Sequence, residues 1–229
     1  MADTKRKKSS APALPVMPAD GQVRAVIDAV LPAVDAGRFA VKRVAGDRFT
    51  VRAHCFTDGH DVLRAMLRWR HDTRQDTHEV PMTPLGNDVW SAFFVPPQVG
   101  RYRYTVSAWV DPFESWRHEM VRRIDPDDIR IASQVGALEI AAAAQRARGA
   151  ERKTLDKWGK DLQAMANDTK TDARAVKALA LDDAMALLAH KHPDRRHEQV
   201  YPLELALVAD RERARFSSWY ELFPRSASP

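Results

Sequence analysis

Residues 89–110 constrain what this chain can fold into more than any other stretch. Val89 to Val95 reads Val-Trp-Ser-Ala-Phe-Phe-Val, Pro96 to Gly100 reads Pro-Pro-Gln-Val-Gly, and Arg101 to Val110 reads Arg-Tyr-Arg-Tyr-Thr-Val-Ser-Ala-Trp-Val. Both flanks alternate with period two, the period of a strand that buries one face. Trp90, Ala92 and Phe94 share one side of the first flank. Tyr102, Tyr104, Val106, Ala108 and Val110 share one side of the second, with Arg101, Arg103, Thr105 and Ser107 opposite. Pro96, Pro97 and Gly100 carry turn chemistry, so the spacing predicts a long central hairpin and a β class for the first half.

Other strands are expected around it. Val23, Ala25, Ile27, Ala29 and Leu31 alternate up to Pro32. Arg38–Val44 is a weaker strand closed by the Gly46-Asp47 turn pair. Phe49, Val51, Ala53 and Cys55 share a face, Asp58-Gly59 reads as a hairpin turn, and Leu63, Ala65, Leu67 and Trp69 alternate after it. Val80 and Met82 mark a short strand before a turn at Pro84–Asp88, and Trp116–Ile124 is read as one more extended piece. Short strands separated by turn signals predict an immunoglobulin-like antiparallel sandwich.

At Asp125 the period changes. Asp-Pro-Asp-Asp is a helix start, with a capping Asp125, Pro126 in the first turn and acids near the positive end of the dipole. Ile131, Val135, Leu138 and Ala142 follow at helical spacing up to a stop at Gly149. A second helix puts Leu155, Trp158, Leu162 and Met165 on one stripe. A third, capped by Thr171, faces Val176, Leu179, Ala180, Ala184, Leu187 and Leu188 inward and stops at Pro193. Three helices on short connections predict an antiparallel bundle. Leu203, Leu205 and Leu207 then restore period two. A lone strand there is satisfied most simply by pairing with the sandwich, which makes the helices an insertion. The expected organisation is a basic leader at 1–20, a β-sandwich at 21–124 and 200–212, a helical insertion at 125–199, and a further unit starting at 213–229.

The single Cys55 excludes an internal disulfide and suits a reducing cytoplasm. No run of 18 apolar residues predicts a membrane span, and no apolar segment follows the basic N-terminus to make an export signal. Of the net charge of +5, the first ten residues hold +3 (Lys5, Arg6, Lys7 and Lys8 against Asp3), leaving +2 for the rest. That balance argues against nucleic-acid binding.

The chemistry expected from the residues is sparse. His190 and His192 lie at i, i+2, a poor helical ligand spacing, and no Cys pair supports zinc. Thr57–Asp61 lacks the later acids of a calcium loop. No phosphate-binding glycine loop or nucleophile elbow occurs. Asp127/Asp128 read as a helix-start device and Asp182/Asp183 as a solvated face, so no catalytic, metal-binding or cofactor-binding residue is expected. The candidates for sugar or interface contacts are Trp69, Trp109, Phe113 and Trp116, because Trp109 falls on the polar face of its strand. Such rings could stack on sugars, in a free-standing glucan-binding sandwich module, or meet another domain or subunit.

Residues 216–223 are apolar on both sides, in the manner of a strand covered on both faces. Burying Phe216, Trp219, Tyr220, Leu222 and Phe223 is worth roughly 1.5–3 kcal/mol each, about 10 kcal/mol together, so this ribbon is expected to need a cover beyond the 229 residues. Tyr220-Glu-Leu-Phe-Pro-Arg-Ser resembles the first strand of the catalytic (β/α)8 barrel of the α-amylase-type superfamily. Thr57–Leu63, Val80–Trp90, Gly100–Asp111, Trp116-Arg-His118 and Asp210–Tyr220 together resemble the N-terminal region of bacterial α-1,4-glucan:maltose-1-phosphate maltosyltransferases, from Val23 to Pro229. The resemblance implies a cytoplasmic, homodimeric enzyme that moves maltosyl units from α-maltose 1-phosphate to the non-reducing ends of α-1,4-glucans. It also implies a retaining mechanism, with an Asp nucleophile and a Glu acid/base on the barrel and no cofactor. Every such position falls beyond Pro229. The 229 residues are therefore expected to be inactive alone and to support the barrel and the dimer.

Overall fold

The structure, a computed structural model, describes residues 22–216 and Glu221. The leader expected at 1–20 and, Phe216 and Glu221 apart, the ribbon at 216–223 lie outside the described residues.

In chain order the elements are β1 (Val26–Leu31), β2 (Val41–Val44), β3 (Phe49–Phe56), β4 (Leu63–His71), β5 (His78–Pro81), β6 (Thr83–Gly86), β7 (Val89–Phe94) and β8 (Gly100–Val110). Then come α1 (Pro112–Arg122), α2 (Pro126–Arg146), α3 (Gly149–Asn167), α4 (Ala173–Ala180), α5 (Asp183–His190), β9 (Gln199–Val200), β10 (Leu205–Asp210) and a short 3-10 helix at Glu212–Arg215. One sheet has the order β1-β3-β7-β6. The other has the order β2-β10-β8-β4-β5, with β9 also bonded to β8. The inner faces meet in one core, in which Phe49, Val51, Ala53 and Cys55 oppose Leu67, Tyr102, Tyr104, Val106 and Leu207.

The expected central hairpin is not formed. β7 pairs with β3 and β6, whereas β8 pairs with β4, β10 and β9 in the other sheet. Residues 95–99 therefore cross between sheets, and so do residues 57–62, where Asp58-Gly59 was expected to close a hairpin. Alternation identifies a buried face, and every inner strand of a sandwich has one; it does not say which neighbour a strand bonds. Nor are the sheets wholly antiparallel, because β10 runs parallel to β2. β10 does return to the sheets after the helices, as Leu205, Leu207 and Ala209 required; each is buried.

β1 keeps its expected face only as far as Ile27. A register shift between Ile27 and Ala29 makes Asp28 a bulge, after which Val30 points inward at 1% exposure and Leu31 is exposed. The Pro84–Asp88 turn is shorter than expected: β6 occupies Thr83–Gly86, and the chain reverses at Asn87 and Asp88, both with positive φ.

The helices form a second core of their own. Residues 116–124, expected to be extended, belong largely to α1. Asp111 caps it, accepting from the Glu114 N–H, with Pro112 in its first turn, the same Asp-Pro device as at Asp125. The helical stripe Phe113, Trp116, Met120 is buried. The predicted stripe on α3 is inward, with Leu155, Trp158 and Leu162 buried and Met165 partly so.

On α2 the buried face is not the expected one. Ile131, Val135 and Leu138 are exposed, and Ile129, Ala132, Ser133, Gly136, Ala137, Ile140, Ala143 and Ala144 are buried instead. Small residues win because large ones stand opposite: a Cβ on Gly136 would lie 1.9 Å from Trp116 Cζ2, and Gly159 of α3 backs onto Ala137 and Ile140. The predicted third helix is two. It breaks after Ala180, Asp172 rather than Thr171 caps α4, and Asp182 caps α5. The break resets the phase, so Ala186 and Ala189 are buried while Ala184 and Leu187 are exposed.

Candidate functional site

The four aromatic candidates are not exposed platforms. Trp69, partly exposed, stacks on Phe94 at 4.6 Å and on His78 at 4.3 Å. Trp109 does lie on the outer face of β8, yet it is only 2% exposed. The segment returning from α5 crosses that face. The Arg195 guanidinium sits 4.4 Å from the Trp109 ring centroid and is held by Glu79 at 2.9 Å and by Glu198. The same strap buries Thr105 and Ser107 on the expected polar face. Phe113 and Trp116 come together in the helical core at 5.7 Å, with Trp158 on the far side of Phe113. Trp116 Nε1 donates to the Ala132 carbonyl at 2.7 Å.

The joint between sheets and helices holds the main cluster of titratable groups. Asp111, 2% exposed, caps α1, pairs with Arg64 at 3.3 Å, and receives the Ser115 hydroxyl at its carbonyl. Ser115 Oγ in turn accepts from the Val62 N–H at 2.8 Å. The His190 ring bonds to the Glu114 carboxylate. Burial pushes the Glu114 acid up, but the His190 bond and charge, with Arg117 and Arg64, outweigh it and hold the acid below its ordinary value. His192, together with Lys191, clamps Glu151 of α3. These histidines tie helices together, each already matched to a carboxylate. Asp127 and Asp128 lie in the first turn of α2, where their N–H groups bond to Asp125, and Asp182 is a cap.

Glu139 behaves in the opposite sense. Burial first, and then the nearby Asp194, raise its carboxyl above the usual glutamate range. An acid raised on folding adds stability below its ordinary range and loses it as pH climbs through the raised value, because the unfolded chain ionises more readily. Glu139→Gln is therefore expected to raise the urea midpoint at pH 7, with little change at pH 4. An unchanged midpoint at pH 7 would count against this assignment.

Cys55 is 1% exposed, and burial pushes its thiol up to about 12, so it is held as a neutral core side chain. Among the described residues no group of three or more His, Cys, Asp or Glu is arranged to hold a metal ion. Catalytic chemistry needs a nucleophile or an acid/base aimed into a cleft. Among the groups described above, Glu114 and His190 are bonded to each other and line a cleft, whereas Asp111 is a cap, Glu151 is clamped by His192 and Lys191, and Cys55 is core.

Two adjoining clefts lie at the end of the sandwich near the joint. One, of about 360 Å³, is bounded by the 57–61 crossover and the 86–89 turn; the other, of about 320 Å³, reaches Met66, Met82 and the Glu114–His190 pair. Leu63, Pro84 and Trp90 line both. Sequence reasoning placed Trp90 on a buried face and went no further. Nothing in the period of β7 reveals that this end of the core lies open, because that depends on where the two crossovers leave the sheets.

The family described as alpha-1,4-glucan:maltose-1-phosphate maltosyltransferase, domain N/S, matches residues 23–211. Proteins named Alpha-1,4-glucan:maltose-1-phosphate maltosyltransferase are similar over nearly the whole chain. The Myxococcus xanthus protein is 44% identical over 207 residues, 88% of this chain and 31% of its own length. The Chlorobaculum tepidum protein is 39% identical over 212 residues (92% and 31%), and that of Methylacidiphilum infernorum 32% identical over 215 (93% and 31%). The chain thus spans about a third of the length of these relatives.

Proposed function

The chain belongs to the domain N/S family of α-1,4-glucan:maltose-1-phosphate maltosyltransferases, and we propose that it serves as the non-catalytic N-terminal region of such an enzyme. In this reading an immunoglobulin-like sandwich and its helical insertion lead into the first strand of a (β/α)8 barrel. The barrel transfers maltosyl units from α-maltose 1-phosphate to α-1,4-glucans in the cytoplasm, without a cofactor. The observation that carries the reading is the match over residues 23–211, set against relatives about three times as long. The engaged state of the carboxylates and histidines at the joint supports placing the chemistry elsewhere. No described helix is long and apolar enough to cross a membrane. The test is phosphate release from maltose 1-phosphate with a glucan acceptor by residues 1–229. No turnover is expected, and measurable turnover overturns the proposal.

The accessory role includes holding a homodimer. Ile131, Val135 and Leu138 fall at i, i+4, i+7 on the outer face of α2, 62%, 49% and 68% exposed. Such a stripe is self-complementary across a two-fold axis. Leu138→Arg with Val135→Lys is expected to leave the circular dichroism intact and shift sedimentation from dimer to monomer. An unshifted dimer removes α2 from the interface. The rival, a free-standing glucan-binding module working through Trp69, Trp109, Phe113 and Trp116, is disfavoured by the burial of Trp109, Phe113 and Trp116, Trp69 being the one ring of the four that is partly exposed.

A further inference from the structure

We propose that a small cavity between the β4–β8 pair and the returning segment at 200–204 binds a phosphate group, as inorganic phosphate or as a phosphomonoester. Arg68, Trp69 and Arg70 of β4, Arg103 of β8, and Tyr201 and Glu204 are among its walls. Its volume is about 140 Å³. That is below the range of about 300–1,000 Å³ usual for organic ligands, which leaves a small ion. Phosphate is chosen by the residues of this cavity and not by the maltosyltransferase reading.

Positive charge is concentrated here. Arg70 and Arg103 stand directly opposite each other across the β4–β8 ladder, a like-charge pairing that destabilises a sheet unless anions offset it. Glu204 offsets one of them, accepting from Arg70 Nη2 at 2.7 Å and also from its Nε. Arg103 gives only its Nε, to Asp72 at 2.9 Å, and its terminal nitrogens make no hydrogen bond among the described residues. The Arg103 bond, with the charges of Arg70 and Arg101, outweighs burial and holds the Asp72 acid below its ordinary value. Arg68 is the least satisfied of the three. Its Nε lies 3.4 Å from Glu79 Oε1 without the alignment of a hydrogen bond, and Glu79 is already gripped by both terminal nitrogens of Arg195, at 2.9 Å and 3.2 Å. The Trp69 indole N–H is likewise buried without an acceptor. Buried donors that lack acceptors mark a place for one.

The wall chemistry selects the ligand. Three guanidiniums face one carboxylate, Glu204, so a cation is repelled. Guanidinium forks match the oxygens of a phosphate two at a time. A carboxylate ligand offers two oxygens in one plane, whereas a tetrahedral phosphate can accept from Arg68 on one strand and Arg103 on the other together.

The probe is inorganic phosphate, titrated calorimetrically into the 229-residue chain in a chloride buffer, with methyl phosphate as the second ligand. Saturable binding of phosphate is expected, weakened about tenfold or more in Arg68→Gln. That variant leaves Glu79 paired with Arg195, so its circular dichroism is expected to be unchanged. Glu204→Gln removes the carboxylate from the wall and is expected to bind phosphate severalfold more tightly, a direction that a damaged fold would not produce. Methyl phosphate bound as well as phosphate assigns the cavity to phosphomonoesters, and phosphate bound alone assigns it to the free ion. No saturable binding of either ligand by the unaltered chain, equal binding by Arg68→Gln, or no tightening in Glu204→Gln overturns the proposal.

Discussion

Trp158→Ala is expected to lower the unfolding free energy by about 3–5 kcal/mol, the range for truncating a buried aromatic whose cavity cannot collapse. Trp158 is 2% exposed, and its indole N–H donates to the Leu179 carbonyl at 3.1 Å, tying α3 to the end of α4. It also forms one wall of the cluster with Phe113. Truncation removes apolar contact and also leaves the Leu179 carbonyl without that donor, and the two losses reinforce each other. Since the helices have a core separate from that of the sheets, the damage is expected to fall on the helices. Thermal melts at 222 nm should lose their high-temperature helical signal, while Cys55 stays protected from thiol reagents below that transition. Loss of Cys55 protection together with the helical signal would show that the two cores unfold as one.

The second large effect is Gly136→Ala. In an exposed helix this change would stabilise by about 1 kcal/mol. Here the new Cβ would lie 1.9 Å and 2.1 Å from two atoms of the Trp116 ring. The ring cannot simply swing aside, being buried and anchored to the Ala132 carbonyl at 2.7 Å. Overpacking of this kind costs typically about 1–3 kcal/mol, occasionally more. With the anchor broken as well, the net loss is expected to be about 2–3 kcal/mol, read as a lower denaturant midpoint. A rise in the midpoint would mean that α1 and α2 are not packed through this ring.

How much of this was legible in the sequence depends on what each signal measures. Period two found β3, β4, β7, β8 and β10 and their buried faces, because burial of one face is what alternation records. It could not separate two strands of one sheet from two strands of facing sheets, so β7 and β8 looked like a hairpin. Nor could it register the Asp28 bulge, where one extra residue flips Val30 and Leu31. On α2 the large apolar residues drew the eye to Ile131, Val135 and Leu138. The true inner face is small because Trp116 and the α3 backbone come close, which only the partner helices dictate. Asp111-Pro112 carried the same start signal as Asp125-Pro126, yet the apolar run beside it reads equally well as a strand. The paired clefts were the least legible part: Trp90, Pro84 and Leu63 line both only because of where the two crossovers leave the sheets, and no local pattern encodes that.

Under the proposal made above, these residues support maltosyl transfer without performing it. The most direct measurement places residues 23–211 of this chain in the matching region of the Myxococcus xanthus relative. Phosphate release from maltose 1-phosphate is then assayed for this chimera beside the 229-residue chain alone. Turnover is expected from the chimera and none from the chain. Turnover by the chain alone, or a folded chimera that releases no phosphate, would contradict it.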